Sequence, residues 1–590
     1  MLFLKTWTAL ALVTGATAAP AKETYDYIVV GGGTAGSALA TRLSLGLPRA
    51  SILLIEAGPS ALDELRINVP GLRGSILGTN YDWNFTTVEQ ANAAGRKIGV
   101  NRGRVLGGSS AMNYLCYDRA AAGEYDAWAQ LGNPNWDWNT MIAAMTKSEN
   151  FTGNDQDVHG YTGPIKNTYN RVIFPVLNTW QPTVSKLGVN VNDGSNMGGK
   201  PIGVMFQPTN IDVTHHTRSY SANSYLPLAG KNLVVKTNTQ VANVVFQKCG
   251  PAYEATGVKL SDGTIINARK EVVLSAGSVQ SPGLLENSGI GQGPVLQAAR
   301  VKQIIDLPGV GENYQDHIRV SNTYRLKEGV ESYDNLIYDN KGANATGELQ
   351  KWLNGERSLY EYTSAAYGFM NWDQIGADSK AQVMAAATAD IGSSPNVIDK
   401  LKLQFLNDNS IPDIELIMEA NYVGAAGYPG GRFVTLFSTV MHALSRGSVH
   451  IDPANPQGKP VIDPKFLSHE HDLRAIVEAS KFSRRIAQTE PMASMFEVET
   501  EPGLAIQDDD AWRQWATKSV DSFYHPVGTC AMLPRKDGGV VDANLKVYGT
   551  TNLRVVDNSI IPAILSAHIQ TAAYGIAEVA AARIIADARP

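Results

Sequence analysis

The segment Tyr25 to Gly36, YDYIVVGGGTAG, constrains this chain more than any other, because a short apolar run leads directly into closely spaced glycines. It reads as a first β-strand delivering a phosphate-binding turn. Gly31, Gly33 and Gly36 form G-x-G-x-x-G, the spacing that allows a tight turn, close approach of backbone to a pyrophosphate, and packing of the next helix on the strand. The helix opening at Ala35 to Ser37 would present free amides and its positive dipole end to the phosphates. A second apolar run, SILLIEAG from Ser51 to Gly58, ends in Glu56 and Ala57, and Glu56 lies 20 residues beyond Gly36. A carboxylate there takes the hydroxyls of an adenosine ribose.

A chain of 590 residues exceeds one ordinary core, so two large domains are expected. With 44% hydrophobic and 18% charged residues and a formal net charge of -6, it has the balance of a globular protein. No basic block points to nucleic acid or an anionic membrane, and no stretch reaches transmembrane length. Residues 1–19 read as a secretory signal: Lys5 is the positive start, Trp7 to Val13 a short apolar core, and Ala16-Thr17-Ala18 the small-residue cleavage pattern. A secreted protein, extracellular or in the cell wall, follows. Asn84, Asn150 and Asn344 begin N-x-[ST] sequons, although the aromatic run around Asn84 argues against its modification. Three cysteines permit at most one disulfide, and their spacing offers no zinc shell, so no metal is expected.

Along the chain, Gly103 to Tyr117 (GRVLGGSSAMNYLCY) is a second glycine-rich loop, suited to lie flat against a large planar ligand. Asn113 offers an amide to whatever sits there. Asp126 to Phe174 resembles a cover. Asn232 to Phe246, Val258 to Ile265 and Arg269 to Ala276 read as strands. Asp306 to Asp316 is a compact turn cluster. Strand-like runs at Asp413 to Met418, Phe433 to Met441 and Ser448 to Ile451 suit an antiparallel sheet in a second domain, with helical pieces such as Gly347 to Trp352. The last segment holds HPVGT at His525, a strand at Leu553 to Val556, a turn with Asp557, and His568 opening a long apolar helix.

In order, G-x-G-x-x-G with Glu56, the loop from Gly103 to Tyr117, Gly277 to Gly291 (GSVQSPGLLENSGIG), HPVGT and the His568 helix resemble the signatures of the glucose-methanol-choline (GMC) oxidoreductases, which bind FAD. The resemblance runs from Tyr25 almost to the C-terminus. It implies an α/β, two-domain fold: a Rossmann-like FAD domain over 24–318 with inserted cover segments, a substrate domain over 319–520 built on an antiparallel sheet with helices, and a return to the FAD domain over 521–590. It further implies that Gly31, Gly33, Thr34, Ala35 and Gly36 hold the pyrophosphate, Glu56 and Ala57 the adenosine ribose, and Val241 the adenine through its backbone. Gly107, Ser109, Asn113, Tyr114, Leu115 and Cys116 would lie along the flavin, where Cys116 could attach it covalently. Asp557, His568 and Ile569 would close on the pyrophosphate and isoalloxazine.

The family's catalytic pair falls here on His525 and His568. An alcohol is far too weak an acid to ionise unaided at neutral pH, and a histidine, with a pKa of about 6.5, is the natural base. His525 is the expected base, with His568 on the same oxygen. Glucose-active members carry Arg and Asn four and two residues before the first histidine, where this chain has Asp521 and Phe523. That change predicts a flatter, more apolar substrate such as an aryl or secondary-metabolite alcohol or hemiacetal. A sugar dehydrogenase or oxidase binding through other residues, and a flavoprotein lyase or cyclase of the same family, are the competing readings. The expected partners are the small-molecule alcohol and oxygen or a quinone-type acceptor, for a monomer or homodimer.

Overall fold

A computed structural model describes residues 23–153, 158–192, 194–339 and 342–588. The expected secretory signal, 1–19, lies outside them. Two seven-stranded sheets organise the rest.

In the first sheet the strand Thr24–Val30 lies between Ile52–Ile55 and Ile265–Leu274, parallel to both. Leu233–Lys236 adds outside Ile52–Ile55, and Leu553–Val555 pairs with Ile265–Leu274, again parallel. The central strands Thr24–Val30 and Ile52–Ile55 and the end of Ile265–Leu274 are rich in Val, Ile and Leu because both faces are covered there; Ile28, Val29, Leu53, Leu54, Val272 and Val273 are all fully buried. Helix Thr34–Gly46 covers the sheet together with the apolar helix Gln570–Asp587, and Gly36 allows the approach, since a Cβ there would stand 1.9 Å from the Gly31 carbonyl oxygen. The register brings Val30, Ile55, Leu274 and Val555 level, so Gly31, Glu56, Ser275 and the turn at Asp557 emerge at one carboxyl edge. Ligands of open α/β sheets bind at such an edge.

An antiparallel meander, Val241–Cys249, Ala252–Leu260 and Ile265–Leu274, completes this sheet. The run Val258 to Ile265, expected as one strand, is instead broken by a hairpin. Gly263 has φ +91°, and Asp262 Oδ1 accepts from the Thr264 N–H at 2.9 Å. The Asp-Gly turn overrides the apolar alternation on either side.

The second sheet is antiparallel throughout, ordered Phe496–Glu501, Ile318–Leu326, Phe433–Val440, Ile414–Glu419, Ala366–Met370 and Gly203–Phe206. Two of its strands come from outside 319–520: Gly203–Phe206 at one edge, and Asp521–Ser522, which pairs with Ile318–Leu326. Alternation along Ile414–Glu419 sends Ile414, Leu416 and Met418 into the second core. It leaves Glu415, Ile417 and Glu419 on the face turned toward the first domain. Helix Glu470–Ala487 closes the core side, with Glu470 and Asp472 in its first turn and Arg484 and Arg485 in its last, each complementing the helix dipole.

Of the sequons, Asn84 and Asn344 are exposed, which removes the sequence argument against Asn84. Asn150 is half-buried and paired with Lys166 between strands Glu149–Thr152 and Ile165–Tyr169, poorly placed for a bulky modification. Cys116, Cys249 and Cys530 are all unpaired thiols.

Candidate active site

A cavity of about 760 Å³ runs from the carboxyl edge of the first sheet to the inner face of the second. Its first half is lined by Gly31, Gly33, Thr34, Ala35, Glu56, Ala57 and Val241. Gly31 has φ +103°, and a Cβ there would lie 2.4 Å from the Ser275 carbonyl oxygen. A Cβ on Gly33 would meet only the Gly108 Cα, at 3.8 Å, so the backbone is bare toward the cavity. No side chain caps the N-terminus of helix Thr34–Gly46. Glu56 accepts from the Gly32 N–H at 2.8 Å and the Gly58 N–H at 2.7 Å, and burial pushes its pKa up to about 7 against those hydrogen bonds.

Three of the expected cofactor contacts do not line the cavity. Gly36 is spent on helix–strand packing, as described above. Gly107, at φ +98°, has the Tyr220 ring where a Cβ would be and donates to the Gly32 carbonyl at 2.7 Å, tying the two glycine loops together; Gly108 reaches the cavity in its place. Leu115, at φ +64°, buries its side chain completely. Ser109, Asn113, Tyr114 and Cys116 do face the cavity. Both ends of the Asn113 amide are already engaged, donating to Gln570 Oε1 at 2.8 Å and accepting from Arg218 at 2.7 Å. The Cys116 Sγ sits 2.7 Å from the Tyr367 hydroxyl. Asp557 lines the cavity beside Ile569, its carboxylate accepting from Gly277 N–H, Ser281 hydroxyl and Ser559 N–H at 2.9, 2.5 and 2.8 Å.

His525 and His568 meet in the second half, ring centres 5.0 Å apart and planes at 87°. Their surroundings drive them in opposite directions. Burial, then the His568 charge, holds His525 well below the usual imidazole pKa. Burial opposes charging of His568 too, but Cys116, Glu415 and Asp118 outweigh it and raise its pKa well above the usual value. Its Nδ1 is 2.8 Å from Asp118 Oδ2 and 3.6 Å from Glu415 Oε1. His525 Nδ1 faces His317 Nδ1 at 2.9 Å, which leaves Nε2 as the ring nitrogen not taken by His317. Asp316 fixes the segment, accepting from the His525 N–H at 2.8 Å and the Ser522 hydroxyl at 2.5 Å.

Asp118, His317, Glu415 and Arg319 escaped sequence reasoning. Asp118 and His317 directly follow the glycine-rich loop ending at Tyr117 and the turn cluster ending at Asp316, so position beside a motif was their only signal. Glu415 and Arg319 sit in strands whose partners are remote in sequence, and no local pattern marks them.

Phe523 lies beside both histidines, 5.1 Å from His525 and 5.5 Å from His568 between ring centres, and forms a cavity wall with Phe437, Ile417 and Tyr367. Asp521 does not line the cavity. It stands opposite Arg319 across paired strands and accepts from its guanidinium at 2.9 Å, and Arg319 is the residue that faces the cavity. The expected loss of polar contact before His525 is therefore corrected: the aromatic wall is present, but Asp521 delivers a cation to it. Glu419, a carboxylate lining this half, is neutralised by Arg73 at 2.6 Å and hydrogen-bonded by Tyr362 and Ser364.

A bare glycine backbone, an uncapped helix end and a carboxylate held on two N–H groups at one end, with a histidine pair and aromatic walls at the other, suit an extended dinucleotide whose ring system reaches the histidines. Family models described as GMC oxidoreductase match residues 25–319 and 443–577. The chain is 35% identical to the GMC oxidoreductase family protein Mala s 12 of Malassezia sympodialis, over 96% of this chain and 93% of the other. It is 31% identical to a pyranose dehydrogenase of Agaricus campestris, over 95% and 93%. Among solved structures, an FAD-dependent oxidoreductase of Chaetomium thermophilum superposes with a TM-score of 0.86 at 29% identity, covering 95% of this chain and 99% of that one. A fungal aryl-alcohol oxidase gives 0.82 at 27%, covering 96% and 100%.

Proposed function

This chain belongs to the GMC oxidoreductase family and is an FAD-dependent oxidoreductase, and from that premise we propose that it oxidises an aryl alcohol, with His525 as the general base. The observation that carries the reading is the meeting of His525 and His568 at one end of the cavity, ring centres 5.0 Å apart beside the Phe523 ring, with His525 pushed below and His568 pushed above the usual imidazole pKa.

Gly31, Gly33 and the first amides of helix Thr34–Gly46 would hold the pyrophosphate of FAD, Glu56 its adenosine ribose, and the Asn113 to Cys116 segment its ring edge. FAD, when bound, supplies the acceptor for the hydride leaving the carbinol carbon. The protein's residues handle the proton and the oxygen. His525 Nε2 takes the hydroxyl proton while His317 fixes its Nδ1, and protonated His568, paired to Asp118, stabilises the developing alkoxide. Loss of that proton and of a hydride from carbon leaves an aldehyde or ketone, and His525 then returns its proton to solvent. The Phe523, Phe437 and Tyr367 walls favour an arene beside the carbinol. The Asn84 and Asn344 sequons, both exposed, fit a secreted glycoprotein.

Anaerobic mixing of holoenzyme with aryl, aliphatic and sugar alcohols, followed by the visible absorbance of the oxidised flavin, tests the reading. Bleaching by aryl alcohols in preference to glucose is expected. Preferential bleaching by sugars would replace the substrate and keep the mechanism, whereas an unbleached flavin with every alcohol would oppose the redox reading.

A further inference from the structure

Arg319 is a charged side chain of the cavity's aromatic end, paired on one side only, to Asp521. It lies on strand Ile318–Leu326, with Asp521 directly opposite on one neighbour and Thr439 on the other. Its guanidinium carbon is 4.9 Å from the centre of the Phe437 ring and 6.0 Å from that of Phe523, the same Phe523 that touches both histidines. The cation thus stands one aromatic ring away from the catalytic pair.

A guanidinium has five N–H donors in a rigid plane. The hydrogen bonds of Arg319 to Ser321 Oγ at 3.1 Å and Asp521 Oδ2 at 2.9 Å engage two of them, and the Tyr524 phenol lies alongside. Asp521 holds the group from behind, with a third of its own side chain exposed, and its carboxylate also acts on Arg96, whose guanidinium donates to the neighbouring Val520 carbonyl. Glu419 is already committed to Arg73. The cavity's aromatic end thus holds a guanidinium with N–H donors beyond those taken by Ser321 and Asp521, in surroundings where a charge-assisted hydrogen bond is strong.

We propose that Arg319 anchors a carboxylate of the substrate, so that the preferred substrate is an aromatic alcohol carrying a carboxylate across the ring from its carbinol. The arene lies along Phe523, the carbinol reaches His525 and His568, and the acid meets Arg319. This rests on the alcohol-oxidising reading of the site.

The test compares 4-(hydroxymethyl)benzoate with its neutral methyl ester, as kcat/KM of the purified holoenzyme. The acid is expected to be preferred by about 10-fold or more, mainly through KM, and that ratio collapses toward unity in Arg319→Met while Arg319→Lys keeps part of it. Should Arg319→Met fail to fold with Asp521 unpaired, the double variant Arg319→Gln/Asp521→Asn removes both charges together. Binding is read separately from the flavin's visible spectrum during titration with 4-methylbenzoate and 4-methylbenzamide, which have no carbinol. Tighter binding of the acid, lost in Arg319→Met, supports the anchor even if no alcohol is turned over, an outcome that would overturn only the oxidation reading. Equal use and equal binding of acid and neutral partner, or a preference that survives in Arg319→Met, overturns the anchor whether or not alcohols are oxidised.

Discussion

His317 and His525 face each other through their Nδ1 atoms at 2.9 Å, so one ring donates and the other accepts. A buried neutral imidazole has one donor and one acceptor nitrogen, and the partner of one nitrogen sets the state of the other. His317 is fully buried, and burial, then the charges of His442 and His568, hold its pKa well below the usual value. It accepts best as a neutral ring, which leaves His525 with its proton on Nδ1 and a free lone pair on Nε2. His317→Leu should lower kcat by about 10- to 100-fold with KM little moved, while His317→Asn, with an oxygen near the position of Nδ1, should recover much of the loss. A matching fall in both variants, or a change confined to KM, would argue for packing alone.

The base itself is the second test. His525→Ala should bind FAD as the parent does, because the nucleotide half of the cavity is untouched, and turn over about 100-fold or more slowly. Flavin content measured beside turnover separates a chemical defect from loss of cofactor.

The acid limb of the pH profile follows from the same environment. His525 must be neutral to accept a proton, and its pKa lies well below the ordinary 6.5, so kcat/KM should stay flat as pH falls through 6.5 and drop only well below it. His568 adds to that depression through its charge. His568→Asn removes the charge, so the pKa of His525 rises and the limb moves to higher pH, with a lower plateau. Profiles of the two enzymes on one substrate measure the shift.

Gly36 and Gly33 should fail differently. A Cβ at Gly36 would stand 1.9 Å from the Gly31 carbonyl, so Gly36→Ala forces the helix from the strand and should cost about 1–3 kcal/mol of stability. A Cβ at Gly33 finds open space on the protein side but projects where the pyrophosphate is expected, so Gly33→Ala should fold normally and hold FAD weakly. Denaturation of the apoproteins and the flavin-to-protein absorbance ratio distinguish the two.

Arg119, next to Asp118, is fully buried, paired to Glu149 at 2.5 Å, and donates to the carbonyls of Val158 and Met197. Glu149 is further held by His159 and Asn167 at 2.7 and 2.8 Å. Arg119→Met strands that carboxylate and should destabilise the protein by about 3–5 kcal/mol. Denaturant unfolding checks the magnitude, and a companion fall in kcat would show that the pair also steadies Asp118 under His568.

The nucleotide half of the cavity was legible because local chemistry dictates it. Gly31, Gly33 and Glu56 are separated by one strand–turn–helix–strand unit, and their spacing survives folding unchanged. The histidine pair was legible only through the family's motifs, since His525 and His568 come together from separate segments. Local reading failed at Val258 to Ile265, where an Asp-Gly turn outweighed an apolar alternation, and at Gly107 and Leu115, where a motif position is met by backbone geometry and the side chain or Cβ faces protein.

The sequence by itself determined the family and the FAD-binding unit and placed the two histidines of the proposed chemistry, because each is written in residues close together or in motifs of fixed order. The tertiary structure alone decided how those histidines are charged and what surrounds the substrate. Asp118, Glu415, His317 and Arg319 act through distances across sheet pairings and domain contacts that no local spacing encodes. Asp521 is the clearest case. Beside His525 in sequence it reads as part of the pocket wall, but antiparallel pairing turns it onto Arg319, and a loss of polarity becomes an ion pair whose guanidinium lines the cavity.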